Sequence, residues 1–456
     1  MLKPYEEYKK IDLPWLAKVP SHWDIKRNKN VLIEKKEVVG SSANNYLLLS
    51  LTLKGVIARD MINAKGKFPK DFDTYKVVEP GNLIFCLFDI DETPRAVGLS
   101  SLHGMITGAY DVFQPVNING KYLYYYYLSI DNVKGLKPLY TGLRKVINIQ
   151  TFLGTKLPMP RKEEQDQIVR FLDWKLAKIN KLIRAKKKQI ELLNEQKQVI
   201  INNAVTKGLD PNVPMKDSGI EWIGTIPEHW KVLYLSQTAT EQSISNKDIH
   251  NQNLLSLSYG KIINKDINTT DGLLPASFDT YQIVHNGNII LRLTDLQNDH
   301  KSLRVGLATQ TGIITSAYTC LLPRKNVIPE FLYLLLHSYD ICKVFYGMGG
   351  GVRQSIGFDD IRRLLIPVPP LKEQKQIVDF CYAKSNLIEG LLVSIEKEIL
   401  LLNDYRTRII SDVVTGKVDV RGIEIPEYEA DSDDLIEDEL EGENAMDDEA
   451  EEAEVE

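Results

Sequence analysis

Phe72–Ile84 reads FDTYKVVEPGNLI, and Phe278–Ile290 reads FDTYQIVHNGNII. The two strings lie 206 positions apart, and the likeness extends outward from them. Upstream, Trp15–Ile25 (WLAKVPSHWDI) matches Trp222–Val232 (WIGTIPEHWKV) at an offset of 207. Downstream, Glu163–Val169 (EEQDQIV) matches Lys372–Val378 (KEQKQIV) at an offset of 209. So small a drift means few insertions, so whole units are duplicated. The period is far longer than the roughly 20–50 residues of a solenoid repeat. Two copies of one fold in a single chain suit a pseudo-symmetric object that grips two related things.

Within each copy a globular part precedes a long helix. Short β-rich runs at Tyr46–Leu53, Leu83–Phe88, Leu254–Tyr259 and Asn288–Leu293 are punctuated by Gly, Asn and Pro. Pro80-Gly81-Asn82 and Asn286-Gly287-Asn288 have the composition of turns feeding a buried strand. Tyr122–Ser129 and Phe331–Ser338 are better read as short helices. Five tyrosines lie within residues 122–127 and could form a stacking platform for bases. The equivalent Phe331-Leu332-Tyr333-Leu334 favours a packed helix instead.

From Lys162 to Thr206 there is no Pro or Gly, and from Lys372 to Thr415 only Gly390 interrupts. In the second segment Ile377, Cys381, Lys384, Ile388, Leu391, Ile395, Glu398, Leu402, Tyr405 and Ile409 alternate at spacings of four and three. Ile168, Leu172, Ile179, Leu182, Leu193 and Ile200 fill comparable positions in the first. This is a heptad seam, in helices roughly 65 Å long at 1.5 Å per residue. Lys175, Lys186, Gln189 and Gln196 intrude, so neither helix is a strong zipper alone. The expectation is that the two pair with each other and leave apolar surface for a partner.

The length of 456 residues suits about three domains of ordinary size. No charged stretch followed by an apolar run marks a signal peptide, and no apolar run approaches the roughly 18 residues of a membrane span. The four scattered cysteines argue against a disulfide framework and for a reducing cytoplasm. The formal charge of −6 conceals two opposed parts. Residues 427–456 hold 17 Asp and Glu and no Lys or Arg, whereas residues 1–426 hold 56 Lys and Arg against 45 Asp and Glu. The body is basic, and the acidic block is expected to be disordered. The block is either a solubilising extension or an intramolecular competitor for the basic surface, screened by salt.

Catalytic signatures are missing. There is no Asn/Asp-Pro-Pro-aromatic loop, no GxxxxGK[ST], no GxSxG and no HExxH. Gly347, Gly349, Gly350 and Gly351 do not have GxGxxG spacing. His22 and His229 recur within Pro-x-His-Trp, where packing and capping at the start of each globular unit is the expected role. The residues point to binding, not chemistry.

The WIGTIPEHW opening, the KEQKQIV helix entry, the Ala204–Asp210 exit (AVTKGLD) and Met215–Glu221 (MKDSGIE) together resemble the specificity subunit of Type I restriction-modification systems, over roughly residues 5–420. The resemblance implies an α+β chain: two duplicated α/β target-recognition domains separated by a long antiparallel two-helix coiled coil. Its divisions would be recognition domain 1 (1–160), long helix 1 (161–207), linker and recognition domain 2 (208–369), long helix 2 (370–417) and a C-terminal extension with the acidic tail (418–456). It implies a non-catalytic, cytoplasmic subunit that reads half of a bipartite double-stranded DNA target with each domain. The implied partners are two modification (methyltransferase) subunits and restriction (translocase/nuclease) subunits, with no membrane. No cofactor is expected in this chain, and S-adenosylmethionine, ATP and Mg are expected on the partners. Ile168, Leu172, Ile179, Leu193, Ile377, Ile388, Leu391, Ile395 and Leu402 are the candidate partner-binding helix positions. The tail lies outside the resemblance.

Candidate readers follow from where the copies diverge. After the Gly81 strand the first copy runs Phe85–Arg95 (FCLFDIDETPR), and the second runs Leu291–Arg304 (LRLTDLQNDHKSLR). Base reading is assigned to Asp89, Asp91 and Arg95, and to Arg292, Asp295, Gln297, Asn298 and Arg304. Arg suits guanine, Asn and Gln suit adenine, and Asp accepts from cytosine. Turn capping or mutual pairing is the alternative for each. Arg144-Lys145 and Arg353-Gln354 sit at equivalent positions before each helix and suit phosphate contacts common to both half-sites. Stitching the loop to the helix base is an equal alternative. A coiled-coil scaffold that ignores DNA predicts a neutral or acidic body, and a self-contained endonuclease or methyltransferase needs the catalytic residues not found.

Overall fold

The computed structural model describes residues 2–59, 72–140, 145–247, 249, 251–267, 277–296, 299, 302–348 and 356–427. The described residues form two compact units: unit 1 takes those up to Lys186 and those from Glu396, and unit 2 takes those within Lys187–Ile395.

The sequence repeat is carried element by element. In unit 1 a four-stranded antiparallel sheet has the order Leu32–Lys35, Asp111–Pro115, Leu83–Phe85, Val97–Leu99. In unit 2 the order is Ala239–Gln242, Thr319–Pro323, Ile289–Leu291, Val305–Leu307. The helices Gly120–Asp131 and Pro329–Ile341 pack against the last strand of their sheets. Smaller ladders correspond too, such as Lys76–Val78 with Gly104–Ile106, and Gln282–Val284 with Gly312–Ile314.

The strands Leu83–Phe85 and Ile289–Leu291 are buried at every position, which explains their continuous apolar sequence. Each is fed by the expected turn. Gly81 (φ +87°) and Gly287 (φ +89°) occupy the left-handed region. Asn82 Oδ1 accepts from Glu79 N at 3.0 Å, and Asn288 Oδ1 from His285 N at 2.7 Å. Gly104 and Gly312 are required by close approach, because a Cβ would lie 2.4 Å from Leu47 O and 2.5 Å from Asn253 O. The strands expected at Tyr46–Leu53, Leu83–Phe88, Leu254–Tyr259 and Asn288–Leu293 are shorter, at Leu49–Thr52, Leu83–Phe85, Leu255–Ser258 and Ile289–Leu291. Their flanking apolar residues pack from loops, which periodicity cannot distinguish from strand.

Tyr122, Tyr125, Tyr126 and Tyr127 are buried, so these rings are packing and not a stacking platform. Their hydroxyls are satisfied internally: Tyr122 donates to Pro158 O (3.2 Å), Tyr125 to Asp173 (2.6 Å) and Tyr127 to Asn28 (2.6 Å), while Tyr126 accepts from Trp15 Nε1 (3.1 Å).

The long helices run Lys162–Lys207 and Leu371–Val414, and each gives one half to each unit. In unit 1 Lys186 pairs with Glu398 at 2.6 Å and Arg406 donates to Asn180 at 3.3 Å, numbers that run in opposite directions and so mark antiparallel pairing. In unit 2 Lys197 pairs with Glu389 at 3.3 Å. The seam differs in phase from the expected one. Ile388, Ile395 and Ile409 are buried, but Leu391 and Tyr405 are 47% and 39% exposed, and Leu182 is 45% exposed beside buried Ile183. Half-buried Leu392, Ile399 and Arg406 take the alternate positions, so the 3–4 alternation starts on the other step.

Both entry motifs meet the first turn of a long helix. Glu164, almost fully buried, accepts from Tyr5 Oη (2.7 Å) and Trp23 Nε1 (2.9 Å) and contacts His22 Nε2 (2.9 Å). Glu373 accepts from Trp230 Nε1 (3.0 Å) and contacts His229 Nε2 (2.7 Å). The adjacent buried Gln165 and Gln374 each donate to a proline carbonyl, Pro160 and Pro369 (both 2.8 Å), and accept a backbone N–H from Asn119 (2.8 Å) and Ile328 (2.7 Å). The histidines therefore have the structural role expected of them, and the Glu-Gln pair is what the repeated helix-entry motif encodes.

Candidate nucleic-acid interface

The divergent segment of each copy is a closed loop on the sheet. Cys86 N donates to Ala96 O and Arg292 N to Arg304 O, both at 2.9 Å, so the loops span equivalent gates of different length. Ile90 and Leu296 are fully buried and plug each loop into its core. A second strap comes from Ile147 N to Leu87 O (2.7 Å) and Ile356 N to Leu293 O (3.0 Å). The anchors are shared, while the residues between them differ in number and kind.

Arg304 is not a base reader. It has no exposed surface. Its guanidinium donates to the carbonyls of Thr294 (2.7 Å), Arg292 (3.2 Å), Asp295 (3.3 Å) and Asp299 (2.5 Å) and to Tyr346 Oη (2.9 Å). Its backbone N–H donates to buried Asp340 at 2.6 Å, as Ala96 N does to buried Asp131 at 2.9 Å. A larger second loop has put an arginine where the first has alanine, and that arginine stitches the loop shut. Arg95 is also held inward, 3.3 Å from Asp131 and 3.0 Å from Asn132, with its side chain 15% exposed.

Asp89 (φ +42°) and Asp295 (φ +54°) share a left-handed backbone at equivalent places. Asp tolerates that region because its short polar chain bonds locally. One residue type with one conformation in both copies is the mark of a turn device. Asp91 is half-buried within a cluster, accepting from Tyr140 Oη (2.9 Å) and lying 3.2 Å from Lys145 Nζ. Lys145 also reaches Glu92 at 2.5 Å. The Tyr140 hydrogen bond, reinforced by Lys145, holds the Asp91 carboxyl below its usual range. Glu92 chiefly, with Asp91, raises the Lys145 ammonium. Sequence reading missed Glu92 and Tyr140, because the contacts that tie residues 91–92 to residues 140 and 145 span 49 and 53 positions.

Arg292 is half-buried, with a guanidinium nitrogen 4.0 Å from Asp299. Unlike Arg304, it is not held by the loop's own carbonyls, although its side chain (16% exposed) is scarcely more open than that of Arg95. Arg292→Ala is expected to erode discrimination at one base position by about 1–3 kcal/mol. Equal weakening on cognate and noncognate duplexes, measured in a binding titration, would remove it as a reader. Gln297, Asn298, Arg144, Arg353 and Gln354 lie outside the described residues.

The proposed helix positions need the same correction. Ile168, Leu172, Ile179, Ile377, Ile388 and Ile395 are buried inside their own units and are not available to a partner, and Leu193 and Leu402 are half-buried. Of those named, Leu391 alone is exposed, together with Leu387, Val393, Leu400 and Leu401, which were not named. Among the described residues there is no His, Cys, Asp and Glu cluster suited to a metal, and no helix is long and apolar enough to cross a membrane.

A duplicated mixed α/β unit with a divergent loop gated on its sheet, and long helices shared between the copies, defines a class of α+β proteins. Residues 108–192 and 242–397 match the Type I restriction modification DNA specificity domain, more than half of the chain, and the chain belongs to that family. It is similar to a putative type I restriction enzyme specificity subunit, MjaX, of Methanocaldococcus jannaschii, at 28% identity over 286 residues, 60% of this chain and 62% of that protein. The MjaVIII specificity subunit of the same organism is 26% identical over 299 residues, 62% of this chain and 66% of that one. The match thus spans under two thirds of each relative. A chain in a solved type I R-M system structure has the same fold, with a TM-score of 0.60 at 13% identity, over 88% of this chain and 99% of that one.

Proposed function

We propose that this chain is the non-catalytic specificity subunit of a Type I restriction-modification complex. Each unit reads half of a bipartite duplex target, and the chain directs two methyltransferase subunits and the restriction subunits to it. The partners would supply S-adenosylmethionine, ATP and Mg. One observation carries the reading: two loop scaffolds with equivalent gates and plugs hold segments that differ in length and sequence. Duplicated scaffold with diverged contents suits two different half-sites, as dimer symmetry suits a palindrome. Family membership and the basic body support the DNA-recognition part.

The test is co-expression with the neighbouring modification subunit in a methylation-free host, followed by mapping of methylated adenine. A split motif with an unread gap is expected, and exchanging residues 1–158 for another recognition domain should rewrite one half only. An undivided motif would sink the proposal. So would no methylation from a complex shown to assemble and to bind S-adenosylmethionine.

A further inference from the structure

We propose that the acidic segment 428–456 docks on the cationic surface of unit 1 and competes there, in cis, with nucleic-acid phosphates. This rests on the DNA-binding part of the function proposed above and is independent of whether the target is bipartite.

The charge is unevenly shared between the copies. Residues 1–160 carry 22 Lys and Arg against 15 Asp and Glu, whereas residues 208–369 carry 14 against 15. The basic excess that an acidic chain would seek therefore lies in one copy. Lys10, Lys26 and Lys29 of unit 1 are exposed and pair with no carboxylate among the described residues. Lys18, also exposed, lies over the Tyr8 ring at 4.5 Å.

The acidic segment is also rooted on that unit. Val420 is fully buried in the unit 1 core, and Ile423 and Ile425 pack against it. Gln167 Nε2 donates to Val420 O at 3.0 Å and to Ile423 O at 2.8 Å. Lys3 forms a β-bridge with Asp419, and Tyr8 Oη donates to Gly416 O at 3.0 Å. The hairpin Tyr8–Leu13 and Leu16–Pro20, which bears Lys10 and Lys18, therefore contacts the stretch Gly416–Asp419 that leads to the point of departure. Beyond Glu427 come 29 residues holding 16 Asp and Glu and no cation. Extended, they reach as far as about 100 Å, and tethering gives them an effective concentration on the order of millimolar.

A run of carboxylates imitates the charge of a phosphate backbone but not the donor and acceptor pattern of base edges. It therefore opposes contacts that only position a protein on DNA and spares those that specify sequence. Noncognate duplex should be displaced more readily than cognate, so the tail would sharpen selectivity.

The experiment compares complexes with the modification subunits containing either the full chain or a chain ending at Glu427. Binding to noncognate duplex is titrated from about 50 mM to about 300 mM salt, a range over which screening strengthens. Truncation is expected to tighten noncognate binding about tenfold at low salt, with the gap closing as salt rises. Replacing every Asp and Glu of 428–456 by Asn and Gln should act as truncation does. A scrambled tail of unchanged composition should act as the full chain. Zero-length carbodiimide cross-links from tail carboxylates should fall on unit 1 lysines. Equal noncognate affinities at low salt, or cross-links confined to unit 2, would overturn the proposal while leaving a split methylation motif intact. Failure of both forms to bind any duplex would overturn the DNA-binding reading and this inference with it.

Discussion

Arg304→Ala is expected to lower the unfolding temperature of unit 2 by roughly 6–20 °C and to weaken cognate and noncognate binding together. The substitution removes a fully buried guanidinium and leaves the carbonyls of Arg292, Thr294, Asp295 and Asp299 without that donor. Each buried group so orphaned costs about 1–3 kcal/mol, and removing one member of a buried charged network costs about 3–5 kcal/mol in all. At about 2–4 °C per kcal/mol for a unit of this size, the shift is readily visible by calorimetry on the full chain. Arg304→Lys should recover little, since an ammonium cannot span the fork of carbonyls. An unchanged melting temperature with loss of one base preference would return Arg304 to the list of readers.

Glu164→Ala should destabilise unit 1 by about 2–4 kcal/mol, and Glu373→Ala should destabilise unit 2 by less. The ordering follows from the partners. Glu164 serves Tyr5, His22 and Trp23 and is 6% exposed, whereas Glu373 serves His229 and Trp230 and is 23% exposed. Two buried donors, the Tyr5 hydroxyl and the Trp23 indole, lose their acceptor in the first case. Glu→Gln at either position keeps one acceptor oxygen and should cost less than half as much. Thermal or urea unfolding of the four variants decides it, and a larger loss from Glu373→Ala would refute the account.

Duplication, the long helices and the entry motifs were legible because each leaves a local signature: repeated strings, absent Pro and Gly, or a Pro-x-His-Trp. The heptad phase was not, because Leu391 and Leu392 are both apolar and only packing shows which turns inward. The divergent loops were found correctly as segments, but their residues could not be sorted. Arg304 and Arg292 look alike in sequence, and only the ring of carbonyls around Arg304 separates a stitch from a candidate reader. Asp91 with Glu92 and Tyr140 with Lys145 are each close in sequence, but the two pairs meet only through the fold, 49 residues separating Asp91 from Tyr140 and 53 separating Glu92 from Lys145.

The sharing of the long helices between the units bears on synthesis. Among the described residues, unit 2 is drawn from one unbroken stretch, Lys187–Ile395, so all of these have left the ribosome once that stretch has emerged. Unit 1 begins earlier yet waits longer, because Ile409, Ile410, Val413, Val414 and Val420 complete its core from the far end of the chain. The usual order, in which the amino-terminal part folds first, is therefore reversed for completion. A nascent chain from which Ile395 has only just emerged would carry a finished second unit and a first unit still missing part of its interior, the form most exposed to chaperones and proteases.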